Sequence, residues 1–105
     1  MAAPYNPPVK NEDHVFFVAL EDRNNPGDFK SSPTIASGDF QVSKDGGAFA
    51  NLTTLPTNEP SGSEMVKITL SATEMNADNV VVRCKDQTSP KEWSDLIRNI
   101  ITVSA

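Results

Sequence analysis

Residues 42–52 read VSKDGGAFANL, and this stretch carries the densest turn signal in the chain. Its centre, DGG at 45–47, stands between two strand-like segments at 38–43 and 48–52. Glycine adopts positive φ without steric cost, and the type I′ turn of a tight hairpin requires positive φ at both central positions. The stretch therefore predicts a β-hairpin whose turn lies at 45–47.

Two ligand-binding alternatives for this turn do not fit the residues. A phosphate-binding loop requires Gly-x-x-x-x-Gly-Lys-Ser/Thr, which the residues around 45–47 do not match. A calcium-binding EF-hand loop requires acidic residues at alternating positions and a closing Glu, whereas only Asp45 is present here. We therefore expect the turn to have a structural role.

The rest of the chain continues this pattern of short strand-like segments between turn clusters. Strands are predicted at 14–20, 38–43, 48–52, 64–70, 80–84 and 95–104. Turn clusters at intervals of about ten residues are typical of an all-β sandwich or barrel. We predict one domain over residues 14–105, a small antiparallel β-sandwich of the Ig-like or jelly-roll-like type.

Apolar alternation predicts which side chains form the core. In the alternating segments, the residues expected to face inward are Phe40 and Val42, together with either Val66, Ile68 and Leu70 or their neighbours. The segment HVFFVAL at 14–20 is continuously apolar, which predicts burial on both faces, or one face on the core and one on a partner.

One departure from the β pattern follows the strand at 64–70. Ser71 and Glu74 match the S-x-x-E capping box, in which each residue hydrogen-bonds the backbone N–H of the other. The motif predicts one short helical turn near 71–77.

The N-terminal residues 1–13 are rich in proline and polar residues. Proline fixes φ and biases the preceding residue toward extended conformations, so we predict an extended arm. An ordered arm of this kind needs a surface to lie on, and a neighbouring subunit would supply one. The partner-binding residues predicted in the arm are Pro4, Tyr5, Pro7, Pro8 and Val9.

Composition excludes several classes of partner. The formal net charge is −5 and the nine basic residues are scattered, whereas nucleic-acid binding requires clustered Lys and Arg. No segment approaches the roughly 20 apolar residues that cross a membrane. Cys84 is the only cysteine, so no internal disulfide or cysteine-based metal cluster is expected. With no apolar signal segment at the N-terminus, we expect synthesis in a reducing cytoplasm.

The residues that could carry chemistry favour structural roles. His14 is the only histidine and is expected at a solvated strand end, since metal ligands come in threes or fours. Cys84 ends an apolar strand and is expected to be buried. Trp93 either caps the core or contacts a partner. We predict no catalytic residue, no cofactor and no metal.

Three segments resemble a domain that occurs in many bacteriophage and prophage proteins. They are PTIASGDFQVSKDGGAFANLTTLP at 33–56, VKITLSATEMNADNVVVRC at 66–84 and EWSDLIRNIIT at 92–102. In that family an SKDGGA hairpin is followed by an LSATEMNAD segment, a Val-rich strand and a closing strand with Glu-Trp-x-Asp-Leu. The resemblance spans residues 14–103.

The resemblance implies a non-enzymatic virion structural protein, made in the cytoplasm of the bacterial host. Many family members continue into fibre-like extensions, which we do not expect here. We therefore expect this protein to be an accessory subunit, namely a capsid decoration or cement protein. A tail or neck component that anchors fibres and a surface glycan-binding module are the alternatives. The expected partners are other virion proteins and further copies of the chain, with Phe29 and Trp93 as additional contact residues.

Overall fold

Two antiparallel sheets form the fold of residues 7–104, which are the residues that the computed structural model describes. The strands are β1 (His14–Ala19), β2 (Phe40–Lys44), β3 (Ala50–Asn51), β4 (Thr57–Asn58), β5 (Met65–Leu70), β6 (Asn79–Cys84) and β7 (Leu96–Ile101). No helix occurs in this part of the chain. The predicted all-β class is therefore confirmed.

Two of the five strand pairings, β1–β5 and β2–β6, join strands that are not consecutive in the chain. One sheet has the order β1-β5-β4, and the other has the order β3-β2-β6-β7. In the first sheet Val18 lies opposite Val66, and in the second Val42 lies opposite Val82. Only the β2–β3 hairpin and the β4–β5 and β6–β7 pairs join consecutive strands.

All six predicted segments contain a strand, but β4 lies inside a segment predicted as a loop at 56–63. Its sequence, Thr57-Asn58, is short and polar and carries no strand signal. It is held by pairing with β5 and by the Asn58 side-chain amide, which donates to the carbonyl oxygens of Ser63 and Met65 at 2.8 Å. Tertiary contacts therefore make this strand.

A single hydrophobic core cluster contains residues from both sheets. Its members from the strands are Val18, Phe40, Val42, Val66, Ile68, Leu70, Val80, Val82, Cys84 and Ile100. Leu20, Met75, Ala77 and Trp93 join them from the connecting segments. Phe40 and Val42 are buried as predicted, and of the two alternatives for 64–70 the set Val66, Ile68 and Leu70 is the buried one. In β1, His14 and Val18 are buried on one face, whereas on the other face Val15 is buried and Phe17 is 38% exposed.

The predicted hairpin turn at 45–47 is confirmed. Asp45 has φ of 50°, Gly46 has φ of 79°, and the N–H of Gly47 donates to the carbonyl of Lys44 at 2.9 Å. Positive φ at both central residues is the pattern of a type I′ turn. Asp45 also joins the turn to β6, because its carboxylate accepts the N–H of Asn79 at 2.9 Å.

The capping box forms, although no helix follows it. The carboxylate of Glu74 accepts the N–H of Ser71 at 2.8 Å, and the hydroxyl of Ser71 accepts the N–H of Glu74 at 3.2 Å. The N–H of Met75 donates to the carbonyl of Ser71 at 3.0 Å, and residues 72–75 form a turn. The hydrogen bonds were predicted correctly, whereas the predicted helical turn is too short to be a helix.

Candidate interaction surface

The described part of the predicted arm lies on its own domain. Val9 forms a parallel bridge with Val103. The N–H of Val103 donates to the carbonyl of Pro8 at 3.0 Å, and the N–H of Lys10 donates to the carbonyl of Val103 at 2.9 Å. Pro8 and Val9 are half-buried, while Pro7 is exposed at a bend of the chain. Pro4 and Tyr5, also predicted as contact residues, lie outside the described residues.

The loops at 21–34 and 85–93, which contain the predicted contact residues Phe29 and Trp93, are joined by hydrogen bonds. The N–H of Arg23 donates to the carbonyl of Glu92 at 3.0 Å, and the Glu92 carboxylate accepts the N–H of Thr34 at 2.9 Å. Residues 20–22 pair with residues 28–30 through backbone hydrogen bonds of 2.7 and 2.8 Å. The longer loop is therefore a small hairpin fastened to the other loop, which the sequence did not predict.

The Trp93 side chain belongs to the hydrophobic core. Its side chain is fully buried against Phe40, with ring centroids 5.9 Å apart, and its indole N–H donates to the carbonyl of Cys84 at 3.3 Å. The backbone of Trp93 pairs with that of Asp22. Of the two predicted roles, the structure supports the core cap, because a fully buried ring offers no surface to a partner.

Phe29, predicted as a contact residue, is exposed. Its side chain is 58% exposed on the hairpin of residues 20–30, where its backbone pairs with that of Glu21. The neighbouring residues Asp28 and Lys30 are charged and polar. Phe29 is thus a single apolar side chain on a polar loop, and single exposed apolar residues are common on protein surfaces.

The buried carboxylates act as acceptors for loop backbone. Asp39 accepts the N–H groups of Gln87 and Ala36, at 3.0 and 3.2 Å. Glu74 accepts the N–H of Thr53 at 2.9 Å in addition to its capping bond. These carboxylates hold the loops in position by accepting their backbone N–H groups. The same hydrogen bonds compensate for the burial of the charged groups.

Asp86 organises the turn before β7. Its carboxylate accepts the N–H of Thr88 at 2.9 Å, the hydroxyl of Thr88 at 2.5 Å and the N–H of Glu92 at 2.7 Å. Burial alone would raise the pKa of Asp86, but the hydrogen bonds from Thr88 and Glu92 outweigh it and lower the pKa below its ordinary value. The ionised form is therefore the one that the turn requires.

The side chains of Cys84 and His14 are both buried. Burial raises the pKa of the Cys84 thiol to about 12, so the thiolate that would react is scarce at neutral pH. His14 is buried rather than solvated as predicted, and its ring stacks on Phe16 with centroids 5.7 Å apart. Within residues 7–104 no group of three or more His, Cys, Asp or Glu side chains could hold a metal ion.

An apolar row lies along β7, which is an edge strand of the four-stranded sheet. Ile97, Ile101 and Val103 are 59%, 61% and 50% exposed, on the sheet face that points away from the core. Asn99 lies between the two isoleucines on the same face and is exposed. We call residues 97, 99, 101 and 103 the β7 row.

The β7 row was not among the predicted contact residues. A signal for it exists in the sequence, because LIRNII at 96–101 places apolar residues at both even and odd positions. A strand with apolar side chains on both faces buries one face in the core and offers the other to a partner. Even positions such as Ile100 face the core here, and the odd positions face outward.

Comparisons with known proteins add no family to these observations. No family model, no curated protein and no solved structure matches the chain. Residues 7–104 contain no helix of the length and apolarity that a membrane crossing requires. The resemblance to a bacteriophage domain therefore stays a prediction from the sequence.

Proposed function

We propose that this protein is a non-enzymatic structural protein of a bacteriophage virion. It is an accessory subunit that docks on the particle surface, as a capsid decoration or cement protein. The partners are other virion proteins and further copies of the chain. The proposal combines the resemblance over residues 14–103 with the surface chemistry of the domain.

The observation that carries the proposal is the β7 row on a free sheet edge. Ile97 and Ile101 are both more than half exposed on one strand, which costs solubility unless a partner covers them. An edge strand also offers unpaired N–H and C=O groups for strand addition. A subunit that cements a larger shell needs both kinds of contact, and here they lie on the same strand.

The strand order supports the finer interpretation as an immunoglobulin-like sandwich. Taken in chain order, β1 to β7 correspond to strands B, C, C′, D, E, F and G of such a domain. This assignment gives one sheet B-E-D and the other C′-C-F-G, which match β1-β5-β4 and β3-β2-β6-β7. The single core cluster drawn from both sheets is also what face-to-face packing predicts.

The placement of particular side chains also weighs against glycan binding and against catalysis. Glycan binding would use an exposed aromatic residue on a concave face, and the strongest candidate, Trp93, is fully buried. Catalysis would need a reactive group, whereas Asp39, Glu74 and Asp86 are occupied by backbone N–H groups. These observations favour a protein whose function is to bind other proteins.

A cryo-electron microscopy map of intact particles, with mass spectrometry of their proteins, tests the proposal. We expect many copies of the chain over the capsid lattice. Density restricted to the tail or the neck would replace the decoration role with the fibre-anchoring role. Absence of the chain from purified particles would contradict a virion role altogether.

Add-back to particles that lack the chain tests which residues dock. We expect Ile97→Lys to abolish incorporation, because it places a charge in the β7 row. Leu55→Lys is the matched control, since Leu55 is 49% exposed outside that row and should tolerate the change. Equal incorporation of both variants would contradict docking through β7.

Two deletions separate the roles of the arm. Deleting residues 2–6 removes Pro4 and Tyr5 but leaves the bonds between Pro8, Lys10 and Val103. Deleting residues 2–12 removes those bonds as well and is expected to destabilise the domain itself. Loss of incorporation with the shorter deletion would support docking by the arm, whereas normal incorporation would exclude it.

A further inference from the structure

The outward side of the four-stranded sheet carries a polar ladder that crosses β3, β2 and β6. Arg83 of β6 lies opposite Gln41 of β2, and Gln41 lies opposite Asn51 of β3. The side-chain amide of Gln41 donates to the side-chain oxygen of Asn51 at 3.1 Å, and its own side-chain oxygen accepts a hydrogen bond from Nη2 of Arg83. On the other side of β6, Arg83 lies opposite Ile97 of the β7 row. The ladder therefore places a guanidinium group next to the apolar row.

The guanidinium group of Arg83 is held in position by two neighbours. Its Cζ atom lies 4.0 Å from the centre of the Phe49 ring, which is a cation–π contact. The hydrogen bond to Gln41 fixes the same group from the sheet. Arg83 and Phe49 are both half-buried. A side chain that is already ordered loses little further rotamer freedom on binding, so Arg83 is prepared for a partner.

Arg83 has no acidic partner within its own domain. The ion pairs of residues 7–104 are Lys10–Asp78, Lys67–Glu59 and Lys91–Asp95. Residues 1–6 read MAAPYN and contain no acidic side chain, so they cannot supply one. Nε of Arg83 is also buried without a hydrogen-bond partner among the described residues. Partial burial of a cation without a counter-ion is unfavourable, and a carboxylate from another molecule would lower that cost.

The surface around Arg83 determines which kind of anion fits it. Arg83 is the only charged residue at the outward positions of the four strands, and the other positions carry Asn, Gln, Ser, Val or Ile. Nucleic acid requires clustered cations, which this face does not provide. A single carboxylate matches the planar fork of one guanidinium group, and the bond is stronger where apolar side chains exclude water.

We propose that the β7 row and Arg83 together bind an acidic patch of the capsid protein on which the chain docks. A carboxylate of that protein pairs with Arg83, and apolar side chains beside the carboxylate cover Ile97. This proposal deepens the proposed function and rests on it, because the β7 row is the docking surface named there. It adds the chemistry of the partner, which is an Asp or Glu side chain among apolar residues.

A second copy of the chain fits this surface less well. In a two-fold symmetric dimer through this face, the same residues face each other, and none of the outward strand positions is acidic. Such a dimer would bring two Arg83 side chains into one interface without a carboxylate for either. The net charge of −5 on each chain adds repulsion between copies. The partner is therefore a different protein.

Add-back to particles that lack the chain measures the contribution of Arg83. We expect Arg83→Gln to weaken binding about tenfold or more, because it leaves the carboxylate of the partner without its cation. Arg98→Gln is the matched control, since Arg98 is exposed on β7 at a position on the other side of the sheet. It removes the same charge and should change binding less than about threefold. Thermal unfolding of the free variants checks that both are folded.

A chemical cross-link identifies the partner group directly. Arg83→Lys places a primary amine at the contact, and a carbodiimide joins an amine to an adjacent carboxylate as an amide, while the carbodiimide leaves as a urea. Wild type is the control, because a guanidinium group does not couple in this way. We expect mass spectrometry of cross-linked particles to show an amide between position 83 and an Asp or Glu of the capsid protein. An amide to a carboxylate of this chain would overturn the proposal, and so would the absence of any amide at position 83 in particles that contain the variant.

The binding data also distinguish failure of this proposal from failure of the virion role. A wild-type chain that does not bind the particles would contradict the virion role, and the acidic partner with it. Equal binding of wild type, Arg83→Gln and Arg98→Gln would keep the virion role and overturn only the acidic partner.

Discussion

The two edges of the four-stranded sheet differ in length and in chemistry. The β3 edge is two residues long, and its Asn51 side chain accepts a hydrogen bond from Gln41 at 3.1 Å. The β7 edge is six residues long and exposes Ile97 and Ile101. The β3 edge follows a tight turn, whereas β7 follows a loop that Asp86 and Trp93 hold in place.

Among the described residues, the β3 edge is short and polar, whereas no strand pairs with the outer side of β7. Short and polar edge strands resist pairing with other chains, and long apolar ones promote it. At the protected edge, the Asp45-Gly46 turn leads into the two-residue strand β3, which is the last strand of the sheet on that side. The open edge lies next to the arm, where a partner would gain apolar contact and backbone pairing together.

The largest effect is expected from removing the anchor before β7. Trp93→Ala deletes a fully buried ring, which typically costs about 3–5 kcal/mol of unfolding free energy. Because Trp93 is the only tryptophan, urea unfolding should be followed by circular dichroism. Phe29→Ala is the aromatic control and should change stability by under about 0.5 kcal/mol, since Phe29 is exposed.

The Trp93 prediction also has a local measurement. Cys84 accepts the indole hydrogen bond on its carbonyl, and its thiol is buried. We expect thiol labelling of Cys84 to become faster in Trp93→Ala and to stay slow in Phe29→Ala. Equal labelling rates in both variants would mean that Trp93 does not cover this end of the sheet.

A smaller effect is expected from the carboxylate that shapes the turn before β7. Asp86→Asn replaces one acceptor oxygen by an NH₂ group that faces a backbone or hydroxyl donor. A buried group left unsatisfied in this way costs about 1–3 kcal/mol. Asp78→Asn is the control, because Asp78 forms an exposed ion pair with Lys10 and should matter little.

The pH dependence of this difference follows from the lowered pKa of Asp86. A carboxylate whose pKa is lower in the folded state stabilises the fold fully above its unfolded value of about 3.9. The stabilisation is lost as the pH falls from there through the folded pKa. Urea unfolding at pH 7 and at pH 3 should therefore show a smaller gap between wild type and Asp86→Asn at pH 3.

The turn that protects the β3 edge gives a further test. Gly46 has φ of 79°, where an added Cβ meets open space but the backbone conformation is strained for β-branched residues. Gly46→Val should cost about 1–2 kcal/mol by this strain. Gly46→Asn is the matched variant, since asparagine tolerates positive φ, and thermal unfolding should rank it between wild type and Gly46→Val.

The smallest effect leaves stability unchanged and concerns the open edge alone. In dilute solution, the amides of Ile97, Asn99 and Ile101 should exchange with solvent faster than those of Arg98 and Ile100, which face β6. Amide exchange by nuclear magnetic resonance resolves the two sets. Protection of the odd-numbered set in a dilute monomer would mean that the edge is already covered.

The sequence predicted the local elements of the fold well. The type I′ turn requires only Asp45 and Gly46, and alternation in β2 and β5 follows directly from burial on one face. The capping bonds of Ser71 and Glu74 are likewise local. Features set by neighbours within three or four residues were therefore accessible from the sequence alone.

The candidate surface was less predictable because it depends on distant pairings. The exposure of Ile97 and Ile101 follows from the position of β7 at a sheet edge, which the strand's own residues do not determine. Val9 was predicted to bind a partner, yet it pairs with Val103 of the same chain. For Trp93 the sequence left two roles open, and the structure places its side chain in the core.

The bridge between Val9 and Val103 has a consequence for how the chain folds during synthesis. The β2–β3 hairpin joins neighbouring residues and can form early, whereas β1 must wait for β5 before it can pair. Val9 must wait longer still, until Val103 has left the ribosome. Long-range contacts of this kind slow folding. We therefore expect the segment around Val9 to pair last, after the strands of both sheets have formed.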